Sequence, residues 1–234
     1  MRPHLSFLHA LAHLFFPHSC CGCGSDLLAE KSIFCLDCLA SMPFTGFEQY
    51  ADNPVEKNLR GRAEIQAGSA LLYFTKNSAV QQSLHRFKYK GRKEIGHYFG
   101  QCIGYALKNS GRFRGCQVIL PLPLFIPREK ARGYNQAAVL SAGISEIMQI
   151  PVIGNALIRV AGTATQTHKN RIQRWQNMVN KFRVVHPELI SNKHILLVDD
   201  VITTGATLEA CAQTLLQLER VSLSIATLAY SVSG

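Results

Sequence analysis

The segment that most constrains this chain runs from Ile195 to Thr207. Ile195-Leu196-Leu197-Val198 is a short unbroken apolar run, which reads as a strand buried on both faces of a parallel sheet. Two carboxylates, Asp199 and Asp200, sit at its C-terminal edge, and Thr203-Thr204-Gly205-Ala206-Thr207 then opens a helix. Open α/β sheets bind ligands beyond the C-terminal ends of their strands. A helix start offers unpaired N–H groups and the positive end of a dipole, both suited to phosphate. The three threonine hydroxyls add donors, and Gly205 lets the backbone come close. The acidic pair repels phosphate, so it must serve another part of the ligand. Vicinal ribose hydroxyls are good donors to carboxylates. The arrangement therefore suits a ribose 5-phosphate. The plainer reading is a capped helix after a strand. A Walker-type acidic strand needs a G-x-x-x-x-G-K-[S/T] partner loop, and the chain has no Gly-Lys dipeptide and no G-x-G-x-x-G.

The surrounding pattern fits such a sheet. Residues 69–74, 117–120, 194–198 and 221–230 read as strands; 94–107, 135–148 and 205–218 read as helices. Alternating strands and helices imply an α/β fold with a parallel sheet and crossover helices. The 234 residues suffice for one sizeable core and a small appendage. Residues 1–45 form the appendage, 46–66 a polar linker with Gly46, Asn53, Pro54 and Gly61, and 67–234 the α/β domain. Residues 160–180 are polar and basic with few apolar positions, the pattern of a lid, a disordered loop or a frayed amphipathic helix.

Five of the eight cysteines lie between positions 20 and 38. Cys20-x-x-Cys23 and Cys35-x-x-Cys38 are two knuckles with eleven residues between them. Two thiolates three apart can bite one ion, and two such pairs complete a tetrahedron. Cys20, Cys23, Cys35 and Cys38 are the expected ligands of a structural zinc, with an iron–sulfur cluster as the alternative. Cys21 and His18 are spare ligands nearby. A closed four-cysteine site is not catalytic, and docking of DNA or a partner is its expected use. Clustered cysteines of this kind indicate metal in a reducing compartment, not a disulfide framework.

Residues 5–16 are the one greasy N-terminal stretch, but His9 and His13 interrupt it and no small-residue cleavage site follows. An amphipathic helix is expected there, and a cytoplasmic location. No apolar run approaches the ~18 residues of a membrane span. The formal charge of +10 favours polyanionic partners, phosphorylated metabolites or nucleic acid. Arg86, Lys88, Lys90, Arg92 and Lys93 fall within eight residues without an acid, as either a solvated basic face or a ligand surface.

The thirteen residues 195–207 resemble the phosphoribosyl pyrophosphate (PRPP) signature of type I phosphoribosyltransferases. The stretches Ile119-Leu120-Pro121-Leu122-Pro123-Leu124, Arg132-Gly133-Tyr134-Asn135-Gln136 and Phe87-Lys88-Tyr89-Lys90-Gly91-Arg92 narrow that to the ComF family. So do Arg159, Gln166, Arg171 and Asn177, and Phe16-Pro17 before the knuckles. The family includes proteins needed for DNA uptake in natural transformation. The resemblance implies a type I phosphoribosyltransferase fold carrying a small zinc module. It implies that Asp199 and Asp200, the candidate catalytic pair, hold the ribose hydroxyls, and that Val201, Thr203, Thr204, Gly205, Ala206 and Thr207 complete the PRPP site. Lys88, Pro121, Leu122, Arg132, Asn135, Arg159, Gln166, Arg171 and Asn177 would face pyrophosphate or form the hood over it, with magnesium accompanying PRPP. Transfer to an unknown acceptor is one expected role. The other is a non-catalytic protein that binds PRPP and single-stranded DNA beside DNA-uptake proteins, with Trp175 and its basic neighbours tracking the strand.

Overall fold

A computed structural model describes residues 19–26, 28, 32–160 and 181–232. The expected N-terminal helix and the hood residues Gln166, Arg171 and Asn177 lie outside them. Helix α1 (Leu36–Ala40) carries the second cysteine knuckle; a 3₁₀ turn (Phe47–Gln49) and α2 (Pro54–Leu59) follow. The order then runs β1 (Ala67–Phe74), α3 (Ala79–Tyr89), α4 (Lys93–Ser110), β2 (Val118–Pro121), α5 (Ile126–Arg132) and α6 (Gln136–Met148). Next come β3 (Leu157–Arg159), β4 (Phe182–Val184), β5 (His194–Ile202), α7 (Ala206–Leu215) and β6 (Ser222–Ser231). The main sheet has the order β1-β6-β5-β2, and all its pairings are parallel. Helix α4 packs on α6 through Gly100, Gly104 and Gly143, where an added Cβ would collide with the facing helix. The antiparallel pair β3–β4 flanks residues 161–180.

The expected strands and helices of the sheet are all present, with ends shifted by a few residues. β5 extends four residues further than its apolar run, through both aspartates to Ile202, because Asp199 and Val201 still pair with β6. The stretch 46–66, a linker by composition, is packed: Phe47, Val55 and Leu59 are fully buried with the core residues of β2, β5 and β6. Asn53 explains the fold of that stretch. Its side-chain oxygen caps α2 at Val55 and Glu56, and its amide donates to Phe47 O, Tyr50 O and Gly68 O, so a fully buried amide is satisfied on every side.

The cysteine module is likewise joined to the domain. Cys20, Cys21, Phe34, Cys35 and Cys38 share one hydrophobic cluster with Leu84, Phe87 and Phe99. Phe34 stacks on Tyr98 and Phe99 of α4 at ring separations of 5.6 and 5.3 Å. Among the described residues, no helix is long and apolar enough to cross a membrane.

Candidate ligand and metal sites

β5 delivers Asp199 and Asp200 to the C-terminal edge of the sheet, and β2 ends beside it. The two carboxylates share a pocket of about 190 Å³ with Lys88, Arg128, Arg132 and Arg159. Four cations thus face two acids, the balance a polyphosphate sugar needs. The Lys88 ammonium pairs with Asp200 at 2.8 Å. Asp199 keeps some surface open to the pocket but is ringed by protein. Burial pushes its carboxyl up to about 7, the charge of Asp200 adds to the rise, and the Asp200 N–H, Lys88 and Arg159 oppose it. Burial also holds Arg159 below the usual guanidinium range, and the nearby charge of Arg128 lowers it further. Arg159 lies over the Phe182 ring at 5.6 Å, which fixes the flat cation at the pocket wall.

The loop of residues 203–207 forms a second hollow, of about 50 Å³, continuous with the first at Asp199, Val201 and Thr207. Thr203 and Thr204 are exposed, and Gly205 takes the left-handed conformation at φ 72° before the first turn of α7. The N–H groups of that turn have no intrahelical partner. A larger open groove of about 840 Å³ lies elsewhere, against Arg60, Arg62 and Leu216; it lacks the acidic pair and the convergent cations of the β5 pocket.

The Arg132-Gly133-Tyr134-Asn135-Gln136 run is explained residue by residue. Gly133 ends α5 in the left-handed region. The buried Tyr134 hydroxyl donates to Phe87 O. Asn135 caps α6 at Ala137 and donates to Leu122 O at 3.0 Å, tying the proline loop to the helix entrance. Gln136 accepts from Arg132 at 2.8 Å, and Arg132 lies over the exposed Tyr89 ring at 5.4 Å. Leu122 lines the pocket, whereas Pro121 is a buried strand residue paired with Val198. Sequence reasoning missed Arg128 and quoted Gln136 only within a family stretch, without a site role; both line the pocket. Arg128 lies four positions before Arg132, hence on the same helix face, and that spacing was its one visible signal.

The basic run 86–93 divides. Arg86 donates to Cys20 O, Lys88 to Asp200, Arg92 pairs with Glu94, and Lys93 lies over the Tyr134 ring. Most of these cations therefore have partners inside the protein.

The sulfur atoms of Cys20, Cys23, Cys35 and Cys38 all lie within 4.8 Å of one another. Such a set could hold a metal such as zinc, as four thiolates converging without a cation would repel. The groups around it fit. N–H groups of Gly22 and Cys35 point at Cys20 Sγ at 3.4 and 3.3 Å. Burial opposes ionisation of Cys20, but the N–H groups of Cys35, Cys23 and Gly22 outweigh it and hold the thiol down at about 6. Burial and then the neighbouring thiols push Cys38 far up. A side chain at position 22 would run into Cys38 Sγ at 2.7 Å, so glycine is required there. Cys21 is buried and stands outside the set.

Residues 134–234 match the phosphoribosyl transferase domain family. Competence protein F of Haemophilus influenzae is 29% identical over 219 residues, covering 87% of this chain and 93% of that protein. DNA utilization protein YhgH of Escherichia coli is 31% identical over 137 residues, 57% of this chain and 60% of that protein. Competence protein ComFC of Bacillus subtilis is 30% identical over 144 residues, 62% and 56% of the respective chains. Among solved structures, glutamine phosphoribosylpyrophosphate amidotransferase from B. subtilis aligns at 18% identity and a TM-score of 0.42, over 60% of this chain and 30% of that one. The parallel sheet and the matched domain define a phosphoribosyltransferase-like protein of the type I fold. Within that class, the chain is similar to competence proteins of the ComF family.

Proposed function

We propose that this protein binds PRPP with magnesium in the pocket at the end of β5 and acts in DNA uptake. The observation that carries the reading is the convergence of Asp199 and Asp200 with four cations beside the loop of residues 203–207. The carboxylates accept hydrogen bonds from the ribose 2- and 3-hydroxyls. Thr203, Thr204, Thr207 and the N–H groups around Gly205 and Ala206 hold the 5-phosphate. Lys88, Arg128, Arg132 and Arg159 neutralise the pyrophosphate, and magnesium supplies further charge there when bound. Val201 and Leu122 wall the pocket, and Asn135 supports it from the capped helix end. By family resemblance, Gln166, Arg171 and Asn177, outside the described residues, are assigned to the pyrophosphate and hood set. Zinc in the four-cysteine set is structural.

Asp199 and Asp200 orient the sugar; the described residues include no dedicated acceptor-base pocket beside them. A panel of nucleobases and amines with PRPP and magnesium, monitored for pyrophosphate release, tests the transferase role. Release with one acceptor establishes an enzyme. Tight binding by calorimetry with no release establishes a PRPP-controlled binding protein. No PRPP binding defeats both. The second role has support in the exposed Tyr89 ring with Arg132 across its face, a surface suited to stacking a base of single-stranded DNA at the pocket mouth.

A further inference from the structure

The stretch between β1 and the cysteine module reaches the outer side of the phosphate loop. Asn58 Nδ2 donates to Thr203 O at 3.2 Å. Arg62 Nη1 donates to Thr204 O at 2.9 Å and to Asn58 O at 3.0 Å. The same guanidinium pairs with Glu209 in the first turn of α7, with Nε at 2.8 Å from the carboxylate. Neither Asn58 nor Arg62 lines the phosphate hollow. They stand behind it, and the fit is close: a Cβ on Gly205 would run into the Asn58 side-chain oxygen.

A trans peptide points its C=O and N–H in opposite directions. The Thr203 carbonyl shares a peptide plane with the Thr204 N–H, and the Thr204 carbonyl shares one with the Gly205 N–H. Donors that draw both carbonyls outward therefore turn both N–H groups toward the hollow. Left unheld, an exposed glycine-containing loop samples many orientations of these planes. Because Glu209 balances its charge, Arg62 contributes here chiefly through geometry, not through added positive field.

We propose that Asn58 and Arg62 are positioning residues for the 5-phosphate of the bound sugar, holding the peptides of Thr203 and Thr204 so that the N–H groups of Thr204 and Gly205 face it. This rests on reading residues 203–207 as the phosphate loop. It assigns a binding role to a stretch whose composition is that of a linker.

The test uses the full-length, metal-loaded protein and two probes, ribose 5-phosphate and magnesium pyrophosphate, titrated by calorimetry. The charge-balanced pair Arg62→Gln with Glu209→Gln leaves net charge unchanged. It should weaken ribose 5-phosphate by about tenfold, the scale of one charge-assisted hydrogen bond, and leave magnesium pyrophosphate within about twofold. Amide NMR should show the Gly205 N–H signal moving less on phosphate addition than in wild type. Should the double variant fold poorly, Asn58→Ala removes one exposed donor and should give about a threefold loss for the sugar phosphate alone. Unchanged ribose 5-phosphate affinity in folded variants overturns the proposal while the phosphate-loop reading stands. Equal weakening of both probes also overturns it, since that marks general loosening. Wild-type protein that binds pyrophosphate and not ribose 5-phosphate removes the phosphate-loop reading itself, and the brace with it.

Discussion

Lys88 Nζ stands 2.8 Å from Asp200 Oδ2, with both side chains mostly shielded from solvent. The cation that would meet pyrophosphate is thus already engaged by the acid that would meet the ribose. Binding must share or exchange this contact. Lys88→Met keeps the stem and removes the charge. It should weaken PRPP by roughly 10- to 100-fold, the worth of one hydrogen bond to a charged group at about 1.5–3 kcal/mol. Ribose 5-phosphate should lose less, because the pyrophosphate contact is absent from it. Calorimetry with both ligands checks the difference, and equal losses would place Lys88 on the sugar side only.

Asp199 gives a pH signature of known sign. Its carboxyl is raised from 3.8 to about 7 in the folded protein, first by burial and then by Asp200. Between those values the native state holds a proton that the unfolded chain has released. Stability from this group therefore falls as pH rises from about 4 to about 7 and is flat beyond. Asp199→Asn removes the penalty. With allowance for the surface open to pocket water, the gain at pH 8 should be about 2 kcal/mol, or roughly 4–8 °C in Tm. The gain should vanish at pH 4. Thermal melts of both proteins at pH 4 and 8 test this, and a gain of equal size at both would point to a cause other than titration.

The same group should make PRPP binding pH-dependent. A carboxylate accepts from both hydroxyls, whereas a protonated carboxyl has less acceptor capacity. Affinity should rise from pH 6 to pH 8, and binding near pH 7 should release protons. Calorimetry in buffers of different ionisation enthalpy reads that release. Asp199→Ala with Asp200→Ala should abolish tight binding with the fold intact, and Thr204→Val should weaken it by removing a phosphate donor at nearly constant volume. A folded double variant that binds as wild type does would falsify the site assignment.

Much of this arrangement was legible in the sequence, and particular residues show why the rest was not. The strand at Ile195 was readable because an apolar run of that length has few other uses. Gly205 before the α7 helix announced its own turn. Helix α3 was overlooked although Val80, Leu84 and Phe87 are buried at helical spacing, because charged and polar residues dominate the intervening positions. Phe47, Val55 and Leu59 were hidden among turn-forming residues, where three isolated apolar positions define no period. Arg86 reads as part of a solvated basic face or a ligand surface but is directed to Cys20 O, a pairing between residues far apart in sequence. Arg128 carried one sequence signal, its four-residue spacing from Arg132, and tertiary placement turned that shared helix face toward the pocket.

The exposed Tyr89 leads to a prediction about DNA. Single-stranded DNA should bind with little sequence preference and with affinity that falls steeply as salt rises. Tyr89→Ala should cost about 1–3 kcal/mol of binding, the worth of one stacked base. Arg171→Ala with Arg174→Ala should reduce the salt dependence if the hood contributes phosphate contacts. Fluorescence anisotropy with a labelled oligonucleotide at several salt concentrations provides both readings. Undetectable binding at low salt would remove DNA from the direct partners, and loss only in the hood variant would move the path away from Tyr89.

The last prediction concerns the metal. Elemental analysis should find about one zinc per chain, and chelation should remove it. The consequence should extend beyond the module. Phe34 stacks on α4, Ser83 Oγ donates to Cys21 O at 3.3 Å, and Arg86 donates to Cys20 O, so the first knuckle rests directly on α3. That helix ends one residue after Lys88, which pairs with Asp200. Cys38→Ser should therefore release the metal, lower the Tm of the whole protein and weaken PRPP, because α3 loses the surface that fixes it. Cys102→Ser, on α4 outside the four-thiol set, should leave the metal in place. Metal content, melting and PRPP titration on the two variants separate the possibilities. A Cys38→Ser protein that loses its metal yet binds PRPP normally would show that α3 holds Lys88 without help from the knuckles.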